Sequence, residues 1–281
     1  MPTTAEKRRD FRRLHDAGCF VIPNPWDIGG ARALQSLGFK AIATTSAGLA
    51  FSLGLADNAV PRDAVLDHIR TMVEASDLPV NADFENGFAD APEGVAANVR
   101  LCIATGVAGL SIEDATGNSA APLYDLDRAV ERVKAARSAI DAAGEDVILV
   151  ARSEVYFTHH RDPLNEAIRR LVAFADAGAD CLYAPGATSR DDISAIVKAV
   201  APKPVNVLIH RSIGLTVADL AGLGVRRISV GGGLARAAWG GFLRAARQIA
   251  GEGRFDIFAE AAPSKEIVEL FNKKTAKGEN A

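Results

Sequence analysis

Cysteine is scarce and poorly spaced for structural chemistry. Cys19, Cys102 and Cys181 are odd in number and far apart, and no CxxC pair occurs, which argues against a disulfide framework or a zinc ribbon. No apolar run is long enough to span a bilayer. The basic opening MPTTAEKRRDFRRLHDAG is not followed by an apolar h-region, so no signal peptide is expected and the chain reads as cytoplasmic. Neither sign of charge dominates: 32 basic residues stand against 35 acidic ones, net −3. Nucleic acid and membrane are therefore not expected as partners. A GxGxxG fingerprint is missing, which removes the usual sign of a dinucleotide fold. None of the nine lysines follows the end of an apolar β-like run, as a Schiff-base aldolase of barrel type would need.

What the chain does have is apolar material and a repeat. It is 48% hydrophobic over 281 residues, enough for one large α/β core. A helical stretch ends in Gly and a short β-rich run follows, as in QSLGFKAIATTS, ATGVAGLSIED, DAAGEDVILVARS, ADAGADCLYAPG and AGLGVRRISVGG. Glycine just past a helix suits a left-handed cap, and continuous apolar runs suit strands buried on both faces. LPVNADF and KPVNVLI add two more strands after a helix-ending proline. The pattern predicts strands near 19–24, 41–46, 79–84, 109–114, 147–153, 181–186, 204–209 and 226–232, with helices near 27–37, 61–76, 92–105, 125–143, 162–177, 189–200, 216–222 and 234–250. Eight such units make a (β/α)8 TIM barrel, an α/β fold. Residues 1–281 read as one domain: a barrel over about 19–250, a leading helix near 4–16 and a C-terminal extension over about 254–281.

Active sites of such barrels sit at the C-terminal ends of the strands. Asn81, Asp83, Glu113, Arg152 and Asn206 lie inside or at the very end of apolar runs. A buried carboxylate is costly unless it is paired or binds a cation. Several carboxylates beside amides, without a His or Cys cluster, suit a hard cation such as Mg2+. Asp83 and Glu113 are the first candidates, with Glu85 behind them; the competing reading is that both carboxylates pair with Arg152. ATTSAGLAFSLG after strand two offers successive backbone N–H groups to an anion, or is an ordinary loop. SVGGGLARAA reads either as a phosphate cradle or as a helix–strand packing site. The adjacent His159 and His160 read as solvated.

The segments LHDAGCFVIPNPWDIGGARAL, TTSAGLAFSLGLADN, PVNADFENGFAD, AGLSIED, VARSEVY, AIRRLVAFADAGAD, KPVNVL and LGVRRISVGGGLARAA occur in this order along nearly the whole chain. Together they resemble the isocitrate lyase/phosphoenolpyruvate mutase superfamily. The resemblance implies a Mg2+-binding barrel, with Mn2+ as a substitute, acting on small oxo or hydroxy acids through enolate-like intermediates. It also implies a homotetramer, a dimer of dimers that exchange a C-terminal helix. Residue by residue it implies substrate contacts at Trp26, Thr45, Ser46, Ala47, Arg152 and Asn206, and a metal site at Asp83, Asn81, Glu113 and Glu85. Catalytic roles fall to Asp57, Arg152 and Glu113.

The chain also departs from the family. Members often read DADTGYG on strand three, whereas here it is NADFENG, with Asn81 in place of an acid. The lyase motif KKCGH is replaced by EDATGNSAAPLYD, which argues against isocitrate or methylisocitrate cleavage. Asn118 and Ser119 are the residues there that match a mutase gating loop. Pro185 stands where lyases have Glu and mutases His. The expected activity is a carbon–carbon lyase of the oxaloacetate-decarboxylase type. The alternatives are a P–C bond enzyme, such as a phosphonopyruvate hydrolase or phosphoenolpyruvate mutase, and a non-catalytic oxo-acid-binding barrel.

Overall fold

Residues alternate strictly between two layers along every strand, as the period of two in β-structure requires. The structure is a computed structural model and describes residues 2–272. Its eight parallel strands are β1 (Phe20–Ile22), β2 (Ile42–Ala43), β3 (Val80–Asp83), β4 (Gly109–Glu113), β5 (Ile148–Arg152), β6 (Cys181–Tyr183), β7 (Val205–Leu208) and β8 (Arg227–Ser229). They run in the order β1-β8-β7-β6-β5-β4-β3-β2. The seam between β1 and β2 is drawn together by the Ala43 N–H bond to the Pro23 carbonyl (3.0 Å). Asn24 ties the same seam at the mouth: its amide donates to Thr44 O (2.8 Å) and its oxygen accepts from the N–H groups of Val230 and Gly231. The result is a nearly closed (β/α)8 TIM barrel, as the repeat predicts.

Leu110, Ile112, Leu149, Ala151, Leu182, Val205 and Val207 point outward into the main core, under the helices. The helices are α1 (Thr4–Asp16), α2 (Ile28–Ser36), α3 (Ser46–Ser52), α4 (Arg62–Ala75), α5 (Pro92–Ile103), α6 (Leu126–Ala143), α7 (Pro163–Asp176), α8 (Arg190–Val200), α9 (Val217–Gly222), α10 (Gly233–Glu252) and α11 (Ser264–Asn272). The sequence pattern missed α3. The run ATTSAGLAFS reads as a loop because it is short and rich in Ala, Ser and Gly. Thr45 caps it instead, its hydroxyl accepting from Gly48 N–H, the usual role of a Thr before a helix. A Cβ at Gly48 would meet Thr45 Cγ2 at 2.5 Å and Trp26 Cβ at 2.9 Å, so only glycine lets α3 lie this close to the β1 loop.

Inside the barrel the lower layer is apolar: Ile22, Ala41, Ala43, Ile148 and Val150 pack on Phe11 of α1. The leading helix is thus the barrel's lower plug. Two of its basic residues are staples. Lys7 donates to Val73 O and Ser76 O, and Arg8 donates to Ile103 O and Val107 O. The Val73, Ser76 and Ile103 carbonyls lie at the C-terminal ends of α4 and α5, where a cation also favours the helix dipole, and Val107 leads into β4.

His15 completes the plug. Its Nδ1–H donates to Phe11 O (2.8 Å), its ring stacks edge-on with Phe11 and Phe20, and its Nε2 is buried without a partner. Burial, and then the nearby Arg227, push its pKa down to about 3. The unfolded chain takes up this proton near 6.5 and the folded chain only near 3, so stability from this group falls as pH drops through that window. His15→Phe is therefore expected to flatten the loss of melting temperature between pH 6 and 4. An acid limb identical to wild type would contradict the assignment.

At the other end of the chain, α11 leans on α2, with Phe271 reaching Gly29. Ile267, Val268 and Phe271 stay exposed there. The rest of the predicted C-terminal extension, residues 273–281, lies outside the described residues.

Candidate active site

The polar residues singled out inside apolar runs all have inward parity. Asn81 and Asp83 alternate with the outward Val80 and Ala82 of β3, and the same parity turns Glu113 of β4, Arg152 of β5 and Asn206 of β7 inward. Glu113 and Arg152 are register partners on neighbouring strands, so their side chains emerge at one height.

Arg152 is the hub. Its Nη1 lies 3.2 Å from Glu113 Oε2 and 3.5 Å from Asp83 Oδ1, and its Nε donates to Glu154. Its guanidinium stacks 5.3 Å from the centre of the Tyr183 ring. Asp83 is fixed from the far side, since Ser46 donates to Asp83 Oδ2 from both its backbone N–H and its hydroxyl, each at 3.0 Å. The Asp83 N–H in turn donates to the Thr44 hydroxyl. Behind the hub, the buried Asp114 accepts from Glu154 N–H (2.8 Å) and from Arg170 (3.1 Å). That pair holds the turn after β5 and so places Glu154 against Arg152.

Charge is out of balance here. Asp57, Asp83, Glu85, Glu113 and Glu154 surround a single guanidinium. Burial, then Asp83 and Asp57, push the Glu85 carboxyl up to about 7. Glu85 also holds a left-handed backbone, φ 47°, rare for a residue with a side chain. Burial raises Glu113 too, with Arg152 opposing and Glu154, Asp83 and Glu85 reinforcing. Asp57 is raised by burial and by Asp83. Burial works against the Arg152 charge, yet Glu113 and Glu154 more than offset it and its pKa rises. Asp83 and Glu113 thus pair with Arg152, and the carboxylates around it still outnumber its single charge.

Among the described residues, no three His, Cys, Asp or Glu side chains form a ready metal cage. Mg2+ does not need one, because it takes one or two carboxylates and keeps its waters. The surplus charge and all-oxygen donors around Asp83 fit such an ion.

A cavity of about 310 Å³ opens beside the hub, lined among others by Ser46, Ala47, Asp57, Asp83 and Arg152. Ala47 sits in the first turn of α3, where a backbone N–H has no intrahelical acceptor. Thr45 and Asn81 also line this cavity. Asn206, expected to contact substrate, does not: it is buried, its amide donating to Ser229 Oγ and its oxygen accepting from Arg227. Glu85 and Glu113 face a neighbouring recess with Asn58 and Asp90.

Two further expectations need correction. Trp26 does not line the cavity; it lies in a surface recess with Ser52, Trp239 and Phe242, because α3 packs between it and the mouth. Asn81 does not join the carboxylates either. Its oxygen, the atom that would meet a metal, accepts from Arg227 (3.2 Å). Asn118 and Ser119 sit exposed on a hairpin tip closed by the Ala115–Leu123 bridge. His159 and His160 are exposed, as expected.

Several cavity residues escaped the sequence reading: Arg227, Ser229 and, on the rim, Phe157 and Arg236. The available signal was parity. Arg227 and Ser229 flank the outward Ile228, as Asn81 and Asp83 flank Ala82. His210 also lines the cavity, its Nδ1 buried without a partner and its pKa lowered by burial, so it stands as a neutral imidazole.

Residues 11–250 match the family profile of phosphoenolpyruvate phosphomutase. A Burkholderia cenocepacia J2315 structure described as a lyase/mutase is 51% identical, with a TM-score of 0.92 over 95% of this chain and 97% of that one. An oxaloacetate decarboxylase from Bradyrhizobium sp. (strain ORS 278) is 34% identical over 212 residues, 70% of this chain and 69% of the relative. The structure of an oxaloacetate acetylhydrolase in complex with its product oxalate is 25% identical, with a TM-score of 0.82 over 96% of this chain and 94% of that one.

Proposed function

Because the chain belongs to the isocitrate lyase/phosphoenolpyruvate mutase superfamily of lyases and mutases, we propose that it is a Mg2+-dependent carbon–carbon lyase for a small 2-oxo or 2-hydroxy acid, of the oxaloacetate-decarboxylase kind. The observation that carries this reading is the Arg152 hub, a fixed guanidinium among Asp83, Glu113 and Glu154 beside the first turn of α3. Decarboxylating a 2-oxo acid of this type breaks the C3–C4 bond. Carbon dioxide leaves, the electron pair moves into the C2 carbonyl as an enolate, and C3 then takes a proton. Ala47 N–H would orient the C1 carboxylate, while Ser46, whose N–H and hydroxyl both donate to Asp83, would hold the Asp83 carboxylate in place. Arg152 would offset the charge that develops on the enolate oxygen, the kind of preorganised stabilisation that dominates such barriers. Mg2+, held by Asp83 through oxygen ligation with Glu85 and Glu113 nearby, would supply Lewis acidity when bound. Asp57 and the neutral His210 border the cavity as proton-transfer groups.

This chemistry requires no separate acid on the loop after β4, which suits a chain lacking KKCGH. Phosphonate chemistry is the weaker fit, since Pro185 offers no imidazole at the end of β6. The test is a panel of oxaloacetate, isocitrate, methylisocitrate, dimethylmalate and phosphonopyruvate, with Mg2+ and after chelation. Oxaloacetate or dimethylmalate turnover that disappears with the metal is expected. Turnover surviving complete metal removal would sink the metal role, and turnover of phosphonopyruvate alone would sink the carbon–carbon reading. The same reading carries a homotetramer of helix-exchanging dimers, for which light scattering should return four times the chain mass.

A further inference from the structure

The floor of the cavity holds a cation that nothing in the barrel neutralises. Arg227 is 3% exposed. Its Nε donates to Asn206 Oδ1 (3.0 Å) and its Nη1 to Asn81 Oδ1 (3.2 Å), and its guanidinium lies 6.0 Å from the centre of the Phe11 ring. Both hydrogen-bond partners are neutral amides. Among the described residues no carboxylate pairs with it: the groups that favour its charge are Cys181 and Tyr183. Both are neutral at pH 7, because burial pushes the thiol up to about 11 and the phenol up to about 12. A buried cation without a counter-ion is costly. The surplus carboxylates of the site gather around Arg152 instead. Arg227 nevertheless lines the cavity, with Asn81, Ser111, Tyr183 and Ser229 around it.

We propose that Arg227 is an anion-binding residue on the cavity floor that receives a second acidic group of the substrate, a carboxylate or a phosphonate, and so selects dianions over monoanions. The inference deepens the lyase reading above by naming the substrate class of the same cavity. Asn81 is part of the device. An aspartate there would stand at hydrogen-bond distance from Arg227 and cancel its charge, whereas the amide orients the guanidinium and leaves its charge for the ligand. Arg152 is already committed to protein carboxylates, which leaves Arg227 as the unneutralised cation of the floor.

The experiment compares equilibrium binding of succinate, 3-phosphonopropionate and butyrate by calorimetry, in wild type, Arg227→Met and Asn81→Asp. Wild type is expected to bind at least one dianion about tenfold or more tighter than butyrate, the worth of a charge-assisted hydrogen bond. Preference for succinate alone identifies the group as a carboxylate, and for 3-phosphonopropionate alone as a phosphonate. Both variants should bring the ratio close to one. Asn81→Asp retains Arg227 and its hydrogen bond, so it carries the test if Arg227→Met fails to fold. An undiminished ratio in Asn81→Asp or in folded Arg227→Met, or a wild-type ratio near one, would overturn the proposal. Because binding is read without turnover, the two readings separate. A protein that turns over nothing yet selects dianions keeps the floor site and loses the lyase reading, and turnover without selection does the reverse.

Discussion

Alanine at position 83 is expected to lower turnover by on the order of 10²–10³-fold or more, the cost of removing a preorganised electrostatic group. Asp83 joins the two halves of the site. It accepts both donors of Ser46 and faces Arg152, so it fixes the first turn of α3 against the hub. The same substitution should leave the barrel folded. Asp83 stands at the end of β3, partly open to the cavity, and four other carboxylates remain near Arg152. Circular dichroism and the melting temperature would confirm the fold while kcat is measured. Asp83→Asn separates the two roles, because it can still accept from Ser46 but carries no charge. If the charge matters, Asn should fall with Ala; if only the Ser46 bonds matter, Asn should stay near wild type. Wild-type turnover in Asp83→Ala would place the reaction elsewhere.

The largest loss of stability is expected from Arg170→Ala. Arg170 lies under the turn after β5 and bonds Asp114, Glu166 and the Tyr124 carbonyl. Burial pushes Asp114 up to about 6, still below neutrality, so at pH 7 it meets Arg170 as a carboxylate. Removing the arginine leaves that charge, 2% exposed, without its ion-pair partner, a change that costs about 3–5 kcal/mol. For a chain this size the melting temperature should fall by roughly 10 °C. Turnover should fall as well, since Asp114 holds the Glu154 backbone and Glu154 holds Arg152. The double variant Arg170→Met with Asp114→Leu should recover much of the stability, because a buried pair is often replaceable by apolar residues of similar size. A double variant no more stable than Arg170→Ala would mean that packing, not the uncompensated charge, sets the loss.

How much of this was legible beforehand can be read from particular residues. Asp83, Glu113 and Arg152 stood out because each is a charged side chain closing an apolar run, and the barrel geometry then requires them to meet at the mouth. The family motifs supported the same residues. Arg227 was as visible as Arg152 in LGVRRISV, but beside Arg226 it passes for half of a solvated basic pair. Only the register of β8, with Arg227 opposite Phe20 of β1 and Asn206 of β7, fixes which of the two arginines points inward. Trp26 failed for a different reason. It lies in the right loop, but its direction depends on how closely α3 packs, and that depends on the glycine at 48.

The sequence by itself determined the barrel and which strand residues share its inner face. Those follow from local periodicity, turn residues and residue types, which act over a few positions along the chain. Tertiary structure decided the pairing of charges. Whether Asp83 and Glu113 share Arg152, whether Asn81 turns toward a metal or toward Arg227, and which cation is left unneutralised all depend on distances of 3.2–3.5 Å between side chains 39 to 146 residues apart. Electrostatic energy changes steeply over such distances in a buried site, and spacing along a sequence does not encode them.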